Sequence, residues 1–156
     1  YKFQKSKAET YFKMGKKAVW ISNGGAGLAV NASLEICDRG RFESGYWDTN
    51  SGCVIVCAKR IVFGENVMLG RNNLIYDSDH HRIKDENDRI KNQPKDVWIG
   101  DNVWLTSNVA VLKGARIESG SIIGAHTVVT GDVPCNAFVV NGTKAKIINQ
   151  KAKWVR

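Results

Sequence analysis

An all-β chain wound into a parallel β-helix of hexapeptide repeats is the architecture this sequence implies, and three features carry that reading. From Ile99 the chain reads in sixes: IGDNVW LTSNVA VLKGAR IESGSI IGAHTV VTGDVP. The first slots are Ile99, Leu105, Val111, Ile117, Ile123 and Val129, all branched aliphatics. The fifth slots are Val103, Val109, Ala115, Ser121, Thr127 and Val133, small or β-branched, and turn formers such as Asp101-Asn102, Ser107-Asn108 and Ser119-Gly120 fill the slots between. A period of six suits neither an α-helix nor a simple alternating strand. It suits a short strand plus a turn, three of them to a coil.

Each element follows from that frame. Eighteen residues complete a coil, so Ile99 is expected on Ile117, Leu105 on Ile123 and Val111 on Val129, at ladder spacing. The frame also precedes the break, with first slots Cys57, Phe63, Leu69 and Ile75 and fifth slots Ile61, Val67, Asn73 and Asp79. Sixth slots face outward, and stacking eighteen apart predicts an apolar ridge of Trp104, Ile122 and Val140, an interface or a ligand groove. The chain divides, within one structural domain, into an N-terminal cap with irregular first coils (residues 1–50), the β-helix (51–148) and a basic tail (149–156). Leu28, Leu34 and Ile36 are expected to point inward in the first coils. The C-terminal segment is expected to fold back over the last coil and close its open edge.

Between the two regular stretches, residues 81–96 are an outward loop rich in charge, and His80 and His81 sit at its lip. Long loops in compact domains are often functional. The chain holds three histidines in all, the third being His126.

Composition narrows the classes. Net charge is +8, and six of the first twenty residues are lysine. That fits an anionic cofactor, nucleic acid or an acidic membrane surface, and the last leads to the expectation of a peripheral membrane association. No nucleic-acid-binding motif is present, so nucleic acid is not expected as a partner. Four cysteines in no Cys-x-x-Cys spacing, with neither a secretory signal nor a membrane-length apolar run, lead to the expectation of a reduced, cytoplasmic protein.

The segment DSDHHRI, with VWIGDNVWLTSNVAVLKGARIESGSIIGAHTVVTGDVP after it, resembles the hexapeptide-repeat acyltransferases, in particular bacterial sugar O-acetyltransferases of the maltose, galactoside and capsular polysaccharide type. The resemblance spans roughly residues 51–148. It implies a left-handed β-helix, an exception to the usual right-handed crossover. It also implies acetyl-CoA as cosubstrate, a sugar or saccharide acceptor in surface polysaccharide modification, and a homotrimer with sites between subunits. A histidine before the loop is the family's general base. The motif places it at His81, whereas counting from FGENVMLGRN places it at His80. Asp77 or Asp79 is the expected partner that orients the imidazole. For the coenzyme the resemblance carries over Trp104, Ser107, Ala125, Thr130 and Lys146. It implies no metal. Departures from the family pattern are Gly131 where relatives carry Lys, Thr143 and Lys144 in place of Asn-Pro, and Pro134-Cys135 in place of Pro-Pro.

Two rival functions stand beside this one on the same fold. A γ-carbonic-anhydrase-like metalloenzyme needs three histidines around zinc. Here His80 and His81 are adjacent and His126 is far along the chain. A non-catalytic β-helix scaffold leaves DSDHH without a purpose.

Overall fold

The computed structural model describes residues 9–142 together with the backbone of Lys146–Asn149. Every regular element in it is a strand. The first coil is β1 (Tyr11–Met14), β2 (Val19–Ser22) and β3 (Ala26–Gly27). The second is β4 (Ser33–Ile36), β5 (Arg41–Ser44) and β6 (Trp47–Thr49). The third is β7 (Val54–Cys57), β8 (Arg60–Phe63) and β9 (Val67–Leu69). The fourth coil is β10 (Leu74–Tyr76), β11 (Val97–Ile99) and β12 (Trp104–Leu105). The fifth is β13 (Ala110–Val111), β14 (Arg116–Ile117) and β15 (Ile122–Ile123), and the sixth is β16 (Val128–Val129), β17 (Asp132–Val133) and β18 (Phe138–Val140). Each strand pairs in parallel with its counterpart one coil away, giving three flat sheets around one core. The fold is a left-handed parallel β-helix of hexapeptide repeats. We call the sheets that begin with β1, β2 and β3 the first, second and third faces.

The hexad rule sets the core. Ile99 pairs with Ile117, Leu105 with Ile123 and Val111 with Val129, as the repeat predicts. Fifth-slot Val103, Val109, Ala115, Ser121 and Thr127 are buried beside them. Asparagines at the corners make the rule possible. Asn66, Asn72, Asn102, Asn108 and Asn136 all sit at left-handed backbone angles, which Asn tolerates better than most residues. Asn73, inside the prism, donates to the carbonyls of Leu105 and Thr106 and accepts from Val109 N–H at 2.8 Å, so its buried amide is satisfied.

Toward the N-terminal end the core becomes aromatic. Phe42, Trp47 and Phe63 meet edge to face with centroids 5.1–5.6 Å apart, and Trp20 leans on Phe42. Leu34 and Ile36 are fully buried and Leu28 is partly buried against the core, in line with their expected direction.

The last coil departs from the frame. Val133 pairs with Ile117, two residues sooner than eighteen-residue stacking predicts. Only Thr130 and Gly131 separate β16 from β17, where the coil before uses four residues. Val133 therefore takes a first-slot place and Ala137 fills the inward position at the next corner. The outward ridge is accordingly Met68, Trp104, Ile122 and Phe138; Val140 is not part of it. Beyond it, β19 (Lys146–Asn149) pairs antiparallel with β18 and covers that strand edge.

The three faces differ in chemistry. Outward residues of the first face include Val54, Leu74, Ala110 and Val128 in one ladder row and Val56 and Tyr76 in the next. The third face carries the Met68–Phe138 ridge. The second is polar: Glu43 bridges Arg41 and Arg60, and Arg116 stacks 4.3 Å over Trp98. In the later coils two apolar faces thus share one edge, with the charged face opposite it; in the first two coils the first face carries the Lys13–Glu35 ion pair and the third carries Asp48.

Candidate active site

The loop leaves the fourth coil between β10 and β11, at the edge between the first and second faces. Its neck is built from the residues DSDHH. Asp77 is fully buried, and its carboxylate accepts from the Ala58 and Lys59 N–H groups of the coil below, each at 2.7 Å. Its carbonyl accepts from Lys95 N–H at 3.0 Å, where the loop returns. This single residue pins both ends of the excursion. The hexad frame puts Asp79 at the inward slot; the structure puts Asp77 inside and Asp79 outside.

Asp79 lies at the surface and accepts from Lys113 Nζ of the fifth coil and from Asn92 Nδ2 at 2.8 Å. The Lys113 hydrogen bond, then that of Asn92, holds its carboxyl below the usual aspartate range, with a smaller contribution from the charge of His80. The carboxylates expected to orient an imidazole are thus engaged elsewhere. Asp77 binds backbone amides, and Asp79 binds an ammonium and an amide.

Both histidines are exposed. His80 adopts a left-handed backbone (φ 60°), its N–H donates to Ser78 Oγ at 2.9 Å, and its ring meets Tyr76 edge-on at 5.2 Å. His81 is fixed through its backbone. Its N–H donates to the Asp79 carbonyl at 2.7 Å, and its own carbonyl accepts from Asn92 Nδ2 at 2.7 Å. Asn92 Oδ1 also accepts from Ile83 N–H at 2.7 Å. Sequence reasoning passed over Asn92, which lies inside the charged loop, and Lys113, which fills a turn slot of the repeat where residue type carries no sign of a partner.

The remaining expected residues fall on other parts of the prism. Trp104 is half-buried on the third face. Ser107 and Ala125 occupy neighbouring coils at the edge between the third and first faces, where Ser107 O accepts from His126 N–H at 3.1 Å. Thr130 shares the histidines' edge, two coils on, and lines a cavity of about 200 Å³ with Gly131 and Val139. The side chain of Lys146, with Thr143 and Lys144, lies outside the described residues. Within one chain the first face therefore separates the histidines from Ser107 and Ala125. His126, at a left-handed corner (φ 59°), is on that second edge, away from the other two histidines.

Comparison with known proteins bears on the repeat and the fold. Residues 96–131 match the family described as bacterial transferase hexapeptide (six repeats). The chain belongs to the hexapeptide-repeat family. It is 32% identical over 131 residues to a protein named for lipopolysaccharide biosynthesis O-acetyl transfer in Escherichia coli strain K12, covering 78% of this chain and 66% of the relative. It is 38% identical over 98 residues to a galactoside O-acetyltransferase of Lactococcus lactis, covering 63% of this chain and 47% of the relative. The chain spans about half the length of most curated relatives it matches. Among solved structures, the polysialic acid O-acetyltransferase OatWY superposes with a TM-score of 0.61 over 94% of this chain and 91% of that one; at 21% identity it shows the shared fold.

Proposed function

We propose that this chain is an acetyl-CoA-dependent O-acetyltransferase acting on a sugar hydroxyl in surface polysaccharide. The observation that carries the reading is the neck of the loop: two exposed histidines on a backbone clamped by Asp77, Asn92 and Lys113. The names of the relatives give the chemistry to test.

His81 serves as general base. It takes the proton of an acceptor hydroxyl while the oxygen attacks the thioester carbonyl of acetyl-CoA. As the tetrahedral intermediate collapses, the C–S bond breaks, the acetyl group stays on the sugar oxygen, and the histidine returns its proton to the departing thiolate. No acyl-enzyme is required. Imidazole suits the task because its unperturbed pKa lies near neutrality.

Of the residues proposed to hold the coenzyme, Thr130 already shares the histidines' edge, and Trp104 on the third face reaches them from a neighbouring copy through assembly. Two apolar faces flanking one edge favour a closed ring in which the first face of one copy meets the third face of the next. Three copies so arranged place the loop at the rim of a groove whose far wall is the neighbour's Trp104 ridge. A cytoplasmic location belongs to the same proposal, since acetyl-CoA is made and used there. Among the described residues no helix is long and apolar enough to cross a membrane.

The test is release of free thiol from acetyl-CoA in the presence of a panel of saccharides, with His81→Ala as control. Acceptor-dependent release that the variant abolishes supports the proposal. Release unchanged by the variant contradicts the assignment of the base.

A further inference from the structure

Left-handed corner positions of the coils are filled in a regular way. Among the described residues, Asn31, Asn66, Asn72, Asn102, Asn108 and Asn136 take six of them, three fall to glycine (Gly52, Gly114, Gly120) and one to His126. These are the residue types that tolerate such a backbone. Two corners break the pattern, Lys17 (φ 57°) and Arg39 (φ 61°). Neither has a short polar side chain to compensate the conformation locally, so backbone preference argues against both.

The two lie on consecutive coils of one edge. The registers of β1 with β4 and of β2 with β5 set Lys17 beside Arg39, about 4.8 Å away along the ladder. Like charges so placed repel. Among the described residues, Lys16, Lys17 and Arg39 enter none of the ion pairs. Asp38, the acid between them, spends one oxygen on Lys16 N–H at 2.7 Å. These four exposed residues line a cavity of about 310 Å³. Adverse backbone, stacked like charge and a cavity together describe a site built for an anion.

Its position gives the anion a context. Lys59 of the third coil continues the same edge, and the histidine loop leaves that edge on the fourth. Arg39 is thus two ladder spacings from the loop and Lys17 three, roughly 10 and 14 Å. A few linked sugar units cover that span.

We infer that Lys16, Lys17 and Arg39 form a second binding site, for the negatively charged groups of an anionic saccharide. The site holds the acceptor chain along this edge while a hydroxyl of a later unit reaches the loop histidines. The inference rests on the acetyl-transfer reading above.

The experiment compares labelled oligogalacturonate, a phosphodiester-linked oligosaccharide and neutral dextran of matched length. Each is titrated into wild type and into the Lys17→Gln/Arg39→Gln double variant, with acetyl-CoA binding measured on the same samples. One or both charged oligomers bind wild type about tenfold or more tightly than dextran, and the better binder identifies the anion. The double variant loses about tenfold of that affinity, as removal of charge-assisted contacts dictates, and keeps its acetyl-CoA binding. In turnover it raises KM for the charged acceptor and leaves kcat and the neutral acceptor unchanged. Equal binding of charged and neutral oligomers overturns the inference, as does a double variant that binds the charged oligomer like wild type. Absence of acetyl-CoA binding in wild type is a separate outcome: it removes the transferase reading, and with it the placement of this site as an acceptor subsite.

Discussion

Lys113, at a corner of the fifth coil, donates its ammonium to Asp79 at the neck of the loop that leaves the fourth. Asn92 joins the same carboxylate to the His81 carbonyl. The backbone of the proposed base is thereby tied to two side chains outside the histidine segment. Lys113→Ala and Asn92→Ala are each expected to lower kcat severalfold to about tenfold, as loss of positioning does, while acetyl-CoA binding persists. The dependence on pH has a definite sign. Asp79 titrates below its ordinary value, so the clamp is complete above the usual aspartate range and is lost as pH falls through the lowered folded value. Protection of the His81 and Ile83 amides against hydrogen exchange, referred to the intrinsic rate at each pH, should fall across that acidic range in wild type, and Lys113→Ala should flatten the response.

His81→Ala is expected to cut turnover by about 10²–10⁴-fold, the usual worth of a general base, with coenzyme binding retained. His80→Ala is expected to be much milder in turnover, because its ring packs on Tyr76 and is not the proposed base; its left-handed backbone, which Ala adopts poorly, puts the cost in stability. Steady-state kinetics of the pair decide the register. The reverse ranking assigns the base to His80.

Thiol chemistry offers a check on the core that is independent of catalysis. Burial, with the nearby charge of Asp77 adding to it, pushes the Cys57 thiol up to about 12. Cys135 is exposed. At mildly alkaline pH a thiol reagent should modify Cys135 in the folded protein and leave Cys53 and Cys57 untouched until denaturant is added. The raised thiol also works against stability at high pH. The contribution of neutral Cys57 is whole below the ordinary thiol value of about 8.5 and is lost as pH rises toward the folded value.

Ile117 is fully buried between Ile99 and Val133 in the stacked first-slot column. Ile117→Ala should cost about 2–5 kcal/mol of stability, read from the midpoint of a reversible denaturant transition. Arg116→Ala next to it removes the stacking on Trp98 and a surface ion pair with Glu118, and should cost about 1 kcal/mol or less. Similar losses from both would mean that the inward and outward slots are misassigned.

Much of this was legible in the sequence, for a physical reason. A coil tolerates little variety at its inward slots, so Ile99 through Val129 announce their pairing by residue type alone. Corners are freer. The two-residue corner at Thr130-Gly131 shifts the last coil, replacing Val140 by Phe138 on the outer ridge, and no side-chain pattern signals the shortening. The exchange of Asp77 for Asp79 as the inward carboxylate has a similar origin. Once the chain leaves the coil, period no longer sets direction, and two backbone amides on the coil below choose Asp77. Of the aromatic core, Phe63 fell on a first slot of the frame, whereas Phe42 and Trp47 were hidden because the early coils are out of phase with the later frame. Candidate site residues were found as types, whereas their division between two edges follows from the stacking of whole coils.

This β-helix is proposed to bind acetyl-CoA in grooves between three copies of itself. Calorimetric titration of acetyl-CoA into folded protein, with particle mass taken on the same sample by light scattering, addresses it directly. Saturable binding at one site per chain in a particle of three chains is expected. Folded protein that fails to bind acetyl-CoA would contradict it.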